Sequence, residues 1–407
     1  MNKLAPAPLA RRALDRLRSP DEAALSRTGR LNAAAAGVWA GYTADRILLL
    51  LTVVWVAFRA YIREADLLAR PAAIYEPATW LSALVQPAMP SALAWYGCAA
   101  VVLASVVVCW VRPRFVIARV ILAAGVLLLI APEFALGKVD HMNHVFLMGH
   151  AFAVVLPVRR PDLAAALADP VEAEPELLDQ ARAFDWYRAG LLFPYTLAGF
   201  WKFVDLTVRA VLKPGMTYLH PDALLLTSIT TYRAHDLPLD VPRALAGANA
   251  LFGPGYVLLA VVFLVASLAG FRRPLLGLML PTIIAFHVSN VWTLYVVFLS
   301  TCLAVLALLL PYERLLPALR QRLATVERRA FTGRGRNATY KRHYANGDVD
   351  RFEGFEAYRA QWADTSWLLG GPLYHPLVAL VARGVIERRL YPRAEGPAET
   401  TRPTPLT

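Results

Sequence analysis

The chain has 407 residues, 57% of them hydrophobic and only 18% charged, with a mean hydropathy of +0.44. That balance leaves too little polar surface for one compact water-soluble globule of this length, so a soluble enzyme is excluded. Lysine and arginine number 42 against 30 acidic residues, but the net charge of +12 stands in short clusters between apolar runs, which reads as membrane topology and not as nucleic-acid binding.

Residues 1 to 43 form a basic segment with Lys3, Arg11, Arg12, Arg16, Arg18, Arg27 and Arg30. It lacks a compact apolar stretch with a cleavage site, so no cleavable signal peptide is expected. Residues 8 to 30 are expected to form one or two amphipathic helices on an anionic lipid surface. A crossing helix needs about 20 mostly apolar residues. Runs of roughly that length fall at 44 to 62, 91 to 111, 115 to 131, 142 to 158, 184 to 204 and 248 to 270. The tract 274 to 310 is too long for one span and is interrupted by His287, Ser289 and Asn290, so it divides into 274 to 288 and 291 to 310.

The expected architecture is therefore all-α, a polytopic transmembrane bundle of about eight spans over residues 44 to 310, followed by a short cytoplasmic tail, 311 to 407. Short basic segments should lie on the cytoplasmic side after every second span. The N-terminus, Arg112 with Arg114, Arg159 with Arg160, Arg272 with Arg273, and the tail all satisfy that rule. The expectation is a multi-pass protein of the cell (inner) membrane, in contact with the lipid bilayer, with both termini cytoplasmic. The acidic connection 161 to 182 reads as a solvated helical linker. The outward connection 205 to 247 is long enough either to cover the outer mouth of the bundle as a lid or to hang as a loose loop. Cys98, Cys109 and Cys302 all lie inside apolar runs and read as small core residues, with no metal site implied.

Polar groups within spans are costly unless buried among helices, so each is a functional candidate with a structural alternative. Lys138, Asp140, His141, Asn143 and His144 gather at the outer start of the fourth span, where an interfacial role is the plain alternative. His150, deeper in that span, reads as a packing histidine hydrogen-bonded across the bundle. On the fifth span lie Asp185, Arg188, Tyr195, Ala198, Gly199, Lys202 and Asp205. Lys202 reads either as a lysine snorkelling to headgroups or pairing with Asp205, or as an amine turned inward beside a helix drawn close by Ala198 and Gly199. A water-poor setting would supply the neutral amine that a base requires. The third cluster is Phe286, His287, Ser289 and Asn290, a polar turn or part of a site. The arginine-based topology puts Asn143, His144, Lys202, His287 and Asn290 on one outer side, which points to a shared polar pocket.

These residues resemble the HTTM superfamily, the membrane module shared by vitamin K-dependent gamma-glutamyl carboxylase and many bacterial relatives. Lysine, four residues and Asn-His fits Lys138, Asn143 and His144. Arginine, tyrosine and Ala-Gly-x-x-Lys fits Arg188, Tyr195, Ala198, Gly199 and Lys202, and Phe-His-x-x-Asn fits Phe286, His287 and Asn290. The resemblance implies Lys202 as the base toward a quinol, a vitamin K-like hydroquinone, with His144 as its partner and Asn143 fixing the ring. It further implies that Lys138, Tyr195, His287 and Asn290 line the chamber. A large outer domain that grips a protein substrate accompanies the carboxylase module, whereas the tail here is expected to be short and, by the charge rule, on the opposite side of the membrane.

The tail is expected to open with a basic helix containing Arg314, Arg320, Arg322, Arg328 and Arg329, then a flexible stretch, 332 to 337. Residues 347 to 359, Trp367 and the segment near Tyr391 weakly resemble the second half of DCC-type thiol-disulfide oxidoreductase domains. With no cysteine after Cys302, such a remnant is a structural or docking element. The leading functional expectation is an enzyme acting with a quinol or other lipid-soluble substrate by carboxylase-like base chemistry. The alternative is a non-catalytic membrane factor for maturation or export of a secreted peptide or protein. A small-solute transporter ranks third, because no clear internal repeat is visible.

Overall fold

The first helix, α1, runs from Arg27 to Phe58, an alanine-rich half followed by a leucine- and valine-rich one, with no proline to break it. The computed structural model describes residues 25–60, 68–77, 80–113, 115–135, 143–154, 174–211, 219–271, 273–295, 299–310, 312, 326–354, 356–358 and 360–361. Beyond α1 its helices are α2 (Trp80–Val85), α3 (Ala92–Val111), α4 (Val116–Phe134), α5 (His144–Ala153), α6 (Glu174–Val211), α7 (Ala223–Ala234), α8 (Asp240–Gly247), α9 (Asn249–Leu264), α10 (Arg273–Thr293) and α11 (Leu299–Leu309). A 3-10 segment, Ala266–Phe271, follows α9. The chain is thus mostly helical. It divides into two units, one of residues 31–323 with the first residues of the chain, the other of residues 20–30 with 324–407.

In the helical unit one apolar core joins α1, α3, α4, α5, α6, α9, α10 and α11. The pattern on α3 shows how it forms. Ser91 caps the helix by accepting the Ala94 amide at 3.2 Å, and Trp95, Ala99, Val102, Val106 and Cys109 then recur at helical spacing on the buried side. Its other side exposes Leu93, Val101, Val107 and Val111, which are as apolar as the core residues. Among the described residues, α1 and α3 are long and apolar enough to cross a membrane, and α8 with α9 makes a third candidate bent by 91°. α4, α5 and residues 278–293 of α10 are shorter apolar helices.

Several element boundaries differ from the sequence reading, the first being α1, which starts at Arg27 inside the segment 1 to 43 expected before the first span. α6 starts at Glu174, so the end of the segment expected as a helical linker is continuous with the span expected from 184; its acidic first turn suits a helix N-terminus. α10 continues through Ser289 and Asn290, where a break was expected, since the Ser289 hydroxyl is satisfied within the helix by the Phe286 carbonyl at 2.9 Å. The connection 205 to 247 is folded where it is described, for its residues 223–247 carry α7 and α8.

The second unit departs from the all-α expectation. It holds an antiparallel sheet in the order β1 (Val326–Thr332), β2 (Thr339–Tyr344), β3 (Val349–Glu353). Arg328 and Arg329, expected on a basic helix, lie on β1; Phe331 and Thr332, aromatic and β-branched, favour strand over helix. The β2–β3 turn passes through Gly347 at φ +87°, a conformation that favours glycine. Tyr340 and Phe352 pair across the strands and pack with Ala338, Ala357, Ala360 and Leu25.

The start of α1 belongs to this unit. Ser26 caps it by accepting the Gly29 amide at 3.1 Å, while the Thr28 amide and hydroxyl donate to Asp348 at 3.0 and 2.5 Å. The Ser26 amide donates to Asp350 at 2.7 Å. Two aspartates of the sheet thus take the free amides of a helix N-terminus, where negative charge is favoured. Gly29 makes the approach possible, because a Cβ there would stand 2.4 Å from the Asp350 carboxylate.

Candidate functional site

The polar residues expected in one pocket make two described sets of contacts. The first joins α6 and α10. Tyr195 and His287 are both buried, and the tyrosine hydroxyl lies 2.8 Å from His287 Nε2. Phe263 of α9 closes on Tyr195 at 5.4 Å between ring centres, and Phe286 on Phe263 at 5.0 Å, so the pair sits behind aromatic walls. Asn290 is buried one turn beyond His287 on α10, which places both residues on one face.

Lys202 lies seven residues after Tyr195 on α6, hence on the same helix face about two turns, or roughly 10 Å, further on. Its amine stands over the Tyr256 ring of α9 at 5.7 Å. The small residues before it do what small residues in packed helices do. A Cβ on Gly199 would meet the Leu264 amide at 2.6 Å and the Ala260 carbonyl at 2.9 Å, so α6 and α9 touch backbone to backbone there. Arg188 pairs with Asp185 at 2.9 Å, one turn away on α6.

The second group joins α1 and α5. Asn143 is buried at the start of α5 and accepts the Trp55 indole N–H at 2.8 Å. Trp55 stacks on Phe146 and lies under the Arg59 guanidinium, which donates to the Leu129 carbonyl at 2.9 Å. His144 is half-buried beside Asn143. The described geometry therefore joins Tyr195 with His287, Asn143 with Trp55 and Lys202 with Tyr256. Lys138, with Asp140 and His141, lies outside the described residues.

Over the end of α10 sits the folded connection. Tyr232 of α7 donates its hydroxyl to the Trp292 carbonyl, Asn249 donates to Asp222 at 2.5 Å, and the Pro221 carbonyl would lie 2.5 Å from a Cβ on Gly253. These contacts pack residues 221–249 against α9 and the end of α10.

Sequence reasoning passed over a buried charge pair. Arg119 of α4 and Asp45 of α1 form two parallel hydrogen bonds of 2.6 Å, with side chains only 2% and 4% exposed. Both were visible as charges inside apolar runs, the signal that marks a functional or clamping residue. His150 is fully buried and bonded to Thr52 of α1 at 2.7 Å, the cross-bundle contact expected of it. No group of three or more metal-ligating side chains exists among the described residues. In comparisons with known proteins, no family model, curated protein or solved structure matches the chain.

Proposed function

We propose that the chain is a polytopic membrane protein of the HTTM type, with about eight spans, cytoplasmic termini and an outward-half chamber that takes a lipid-soluble hydroquinone. The observation that carries this reading is the buried Tyr195–His287 pair with Lys202 on the same face of α6 and Asn290 on the same face of α10. A quinol carries two hydroxyl groups on an apolar ring. Paired hydrogen-bonding side chains between aromatic walls suit such a ring, and a lipid-exposed bundle lets it enter sideways. The apolar side chains exposed on the side of α3 away from the core support lipid as the surrounding medium.

In this reading Lys202, as the neutral amine, accepts the proton of a hydroquinone O–H and leaves a phenolate. The resulting ammonium faces the Tyr256 ring, where a cation is stabilised. Tyr195 and His287 orient the ring, Asn143 and His144 flank the α5 side, and α7 with α8 keep water from the outer mouth. Removing a general base costs about 10²- to 10⁴-fold in rate. Lys202→Ala and His144→Ala, made separately in cells with a scorable phenotype, should each abolish it at normal abundance. Retained phenotype in both variants sinks the reading.

A non-catalytic role toward an exported partner is favoured by one feature. Leu251, Phe252, Trp292 and Tyr295 are exposed around the covered end. If that role is correct, Leu251→Ser with Trp292→Ser abolishes the phenotype while Lys202→Ala does not.

A further inference from the structure

Trp110 stands at the edge of an apolar span. α3 is 20 residues long, about the length that crosses the hydrocarbon layer, and it ends on Trp110 and Val111 just before Arg112. A tryptophan and an arginine at the end of such a helix mark the depth of the lipid headgroups. The Arg46 guanidinium of α1 lies over the Trp110 ring at 5.2 Å, so Arg46 shares that depth.

Arg46 is exposed, and among the described residues its side chain makes no hydrogen bond or ion pair beyond this ring contact. The adjoining carboxylate, Asp45, is buried and gives both oxygens to Arg119 at 2.6 Å. Trp110 covers one face of the guanidinium, and stacking leaves the N–H groups at its edge unused. Those edge groups form the planar fork that matches two oxygens of a phosphate. Arg112, two residues after Trp110, is also exposed and without an ion pair. The surroundings suit acyl chains. On α1 the face that carries Arg46 continues with exposed Leu50, Val53 and Val54, one and two turns further on. On α3, Val107 and Val111 are exposed beside Trp110.

We propose that Arg46 on Trp110, with Arg112, forms a binding site for the phosphate group of an anionic phospholipid. A free anion would leave the apolar half of this surface bare, whereas a phospholipid covers both halves, its phosphate on the guanidinium fork and its chains along the exposed leucine and valines. A headgroup with net negative charge is preferred, because the ammonium of a zwitterionic headgroup meets two arginines that repel it. Asp45 does not compete for Arg46, since Arg119 already occupies both of its oxygens. The inference rests on the membrane reading and not on the quinol.

The test uses the full chain in detergent, titrated with phosphatidylglycerol, phosphatidylcholine or inorganic phosphate and read by native mass spectrometry. Wild type should retain phosphatidylglycerol in preference to phosphatidylcholine, and excess inorganic phosphate should not displace it. Arg46→Ala and Trp110→Leu should each weaken retention, Arg46→Ala by about fivefold. Arg46→Lys should restore only part of it, because lysine carries the charge without the fork. Arg233→Ala removes an exposed arginine from α7 and should leave retention unchanged. Matched thermal unfolding shows that the variants are folded, and Arg46→Ala, an exposed site, carries the test if Trp110→Leu is not. Equal retention of the two lipids, displacement by inorganic phosphate, undiminished retention in Arg46→Ala, or an equal loss in Arg233→Ala overturns the site. Each of these results leaves reporter-fusion topology unchanged, so the lipid site and the membrane reading fall separately.

Discussion

Asp45 and Arg119 hold each other with almost no water around either, so removing one charge strands the other in an apolar core. Asp45→Asn should destabilise the helical unit by about 3–5 kcal/mol, whereas Asp45→Leu with Arg119→Met should regain most of that loss. Thermal unfolding in a single detergent distinguishes the two outcomes, and equal instability of both variants would refute the pairing argument. Asp348 is governed by different physics. Hydrogen bonds from the Thr28 hydroxyl and amide hold its carboxyl below the ordinary carboxylate range. A depressed folded value means that the contact stabilises above the unfolded value and weakens as pH falls through the folded one. Exchange at the Thr28 amide, corrected for its intrinsic pH dependence, should therefore stay slow near pH 6 and quicken below about pH 4. At this scale the sequence exposed its polar residues well and their partners poorly. Tyr195, His287 and Asn143 stood out as polar groups in apolar runs, yet nothing in their spacing names Trp55 or Tyr256. Arg119 was hidden because arginines were being used to mark cytoplasmic ends.

Helices pack here through small residues. Gly199 brings α6 against α9 so closely that Gly199→Leu must drive the two apart, at a cost of roughly 1–3 kcal/mol or more. Because Lys202 lies one turn further along, the same variant should also lift its amine off Tyr256. Loss of thermal stability together with changed Tyr256 fluorescence in an otherwise tyrosine-matched pair of proteins would show both effects. Element positions were legible wherever apolar length decided them, as at α3, and uncertain wherever polarity and length conflicted. At α10 a Ser-Asn pair resembles a turn, but hydrogen bonding within the helix satisfies the serine and the helix runs on. In β1 the run of charges resembled a solvated helix, while the alternation that builds a strand was present in only a few residues.

The whole molecule is a helical body plus a small sheet, and only the first was foreseeable. Long apolar runs announce themselves one by one, whereas the sheet depends on pairing between segments whose charges obscure their alternation. The proposed topology puts α7 on the outer side and β2 on the inner side. Alkaline phosphatase fused after residue 235 should be active and the same reporter fused after residue 345 inactive, with a cytoplasmic reporter giving the reverse. The opposite pattern would turn the outward chamber around and remove the access route proposed for a quinol. Gly29→Ala should loosen the sheet from the helix start, since its methyl group takes the space of the Asp350 carboxylate. Faster tryptic cleavage at Arg27 and Arg30, with the helical body intact, is the expected readout.

The cap on α1 has a consequence for the order of synthesis. Its acceptors come from positions 320 and 324 residues downstream, so the ribosome delivers them after nearly all of the bundle has been made. Until then the opening turn is held by local contacts such as the Ser26 cap and the Arg30 guanidinium on the Leu25 carbonyl. A nascent chain stalled before the hairpin therefore carries a frayed amino end, and a protease able to sense such fraying could tell unfinished copies from finished ones.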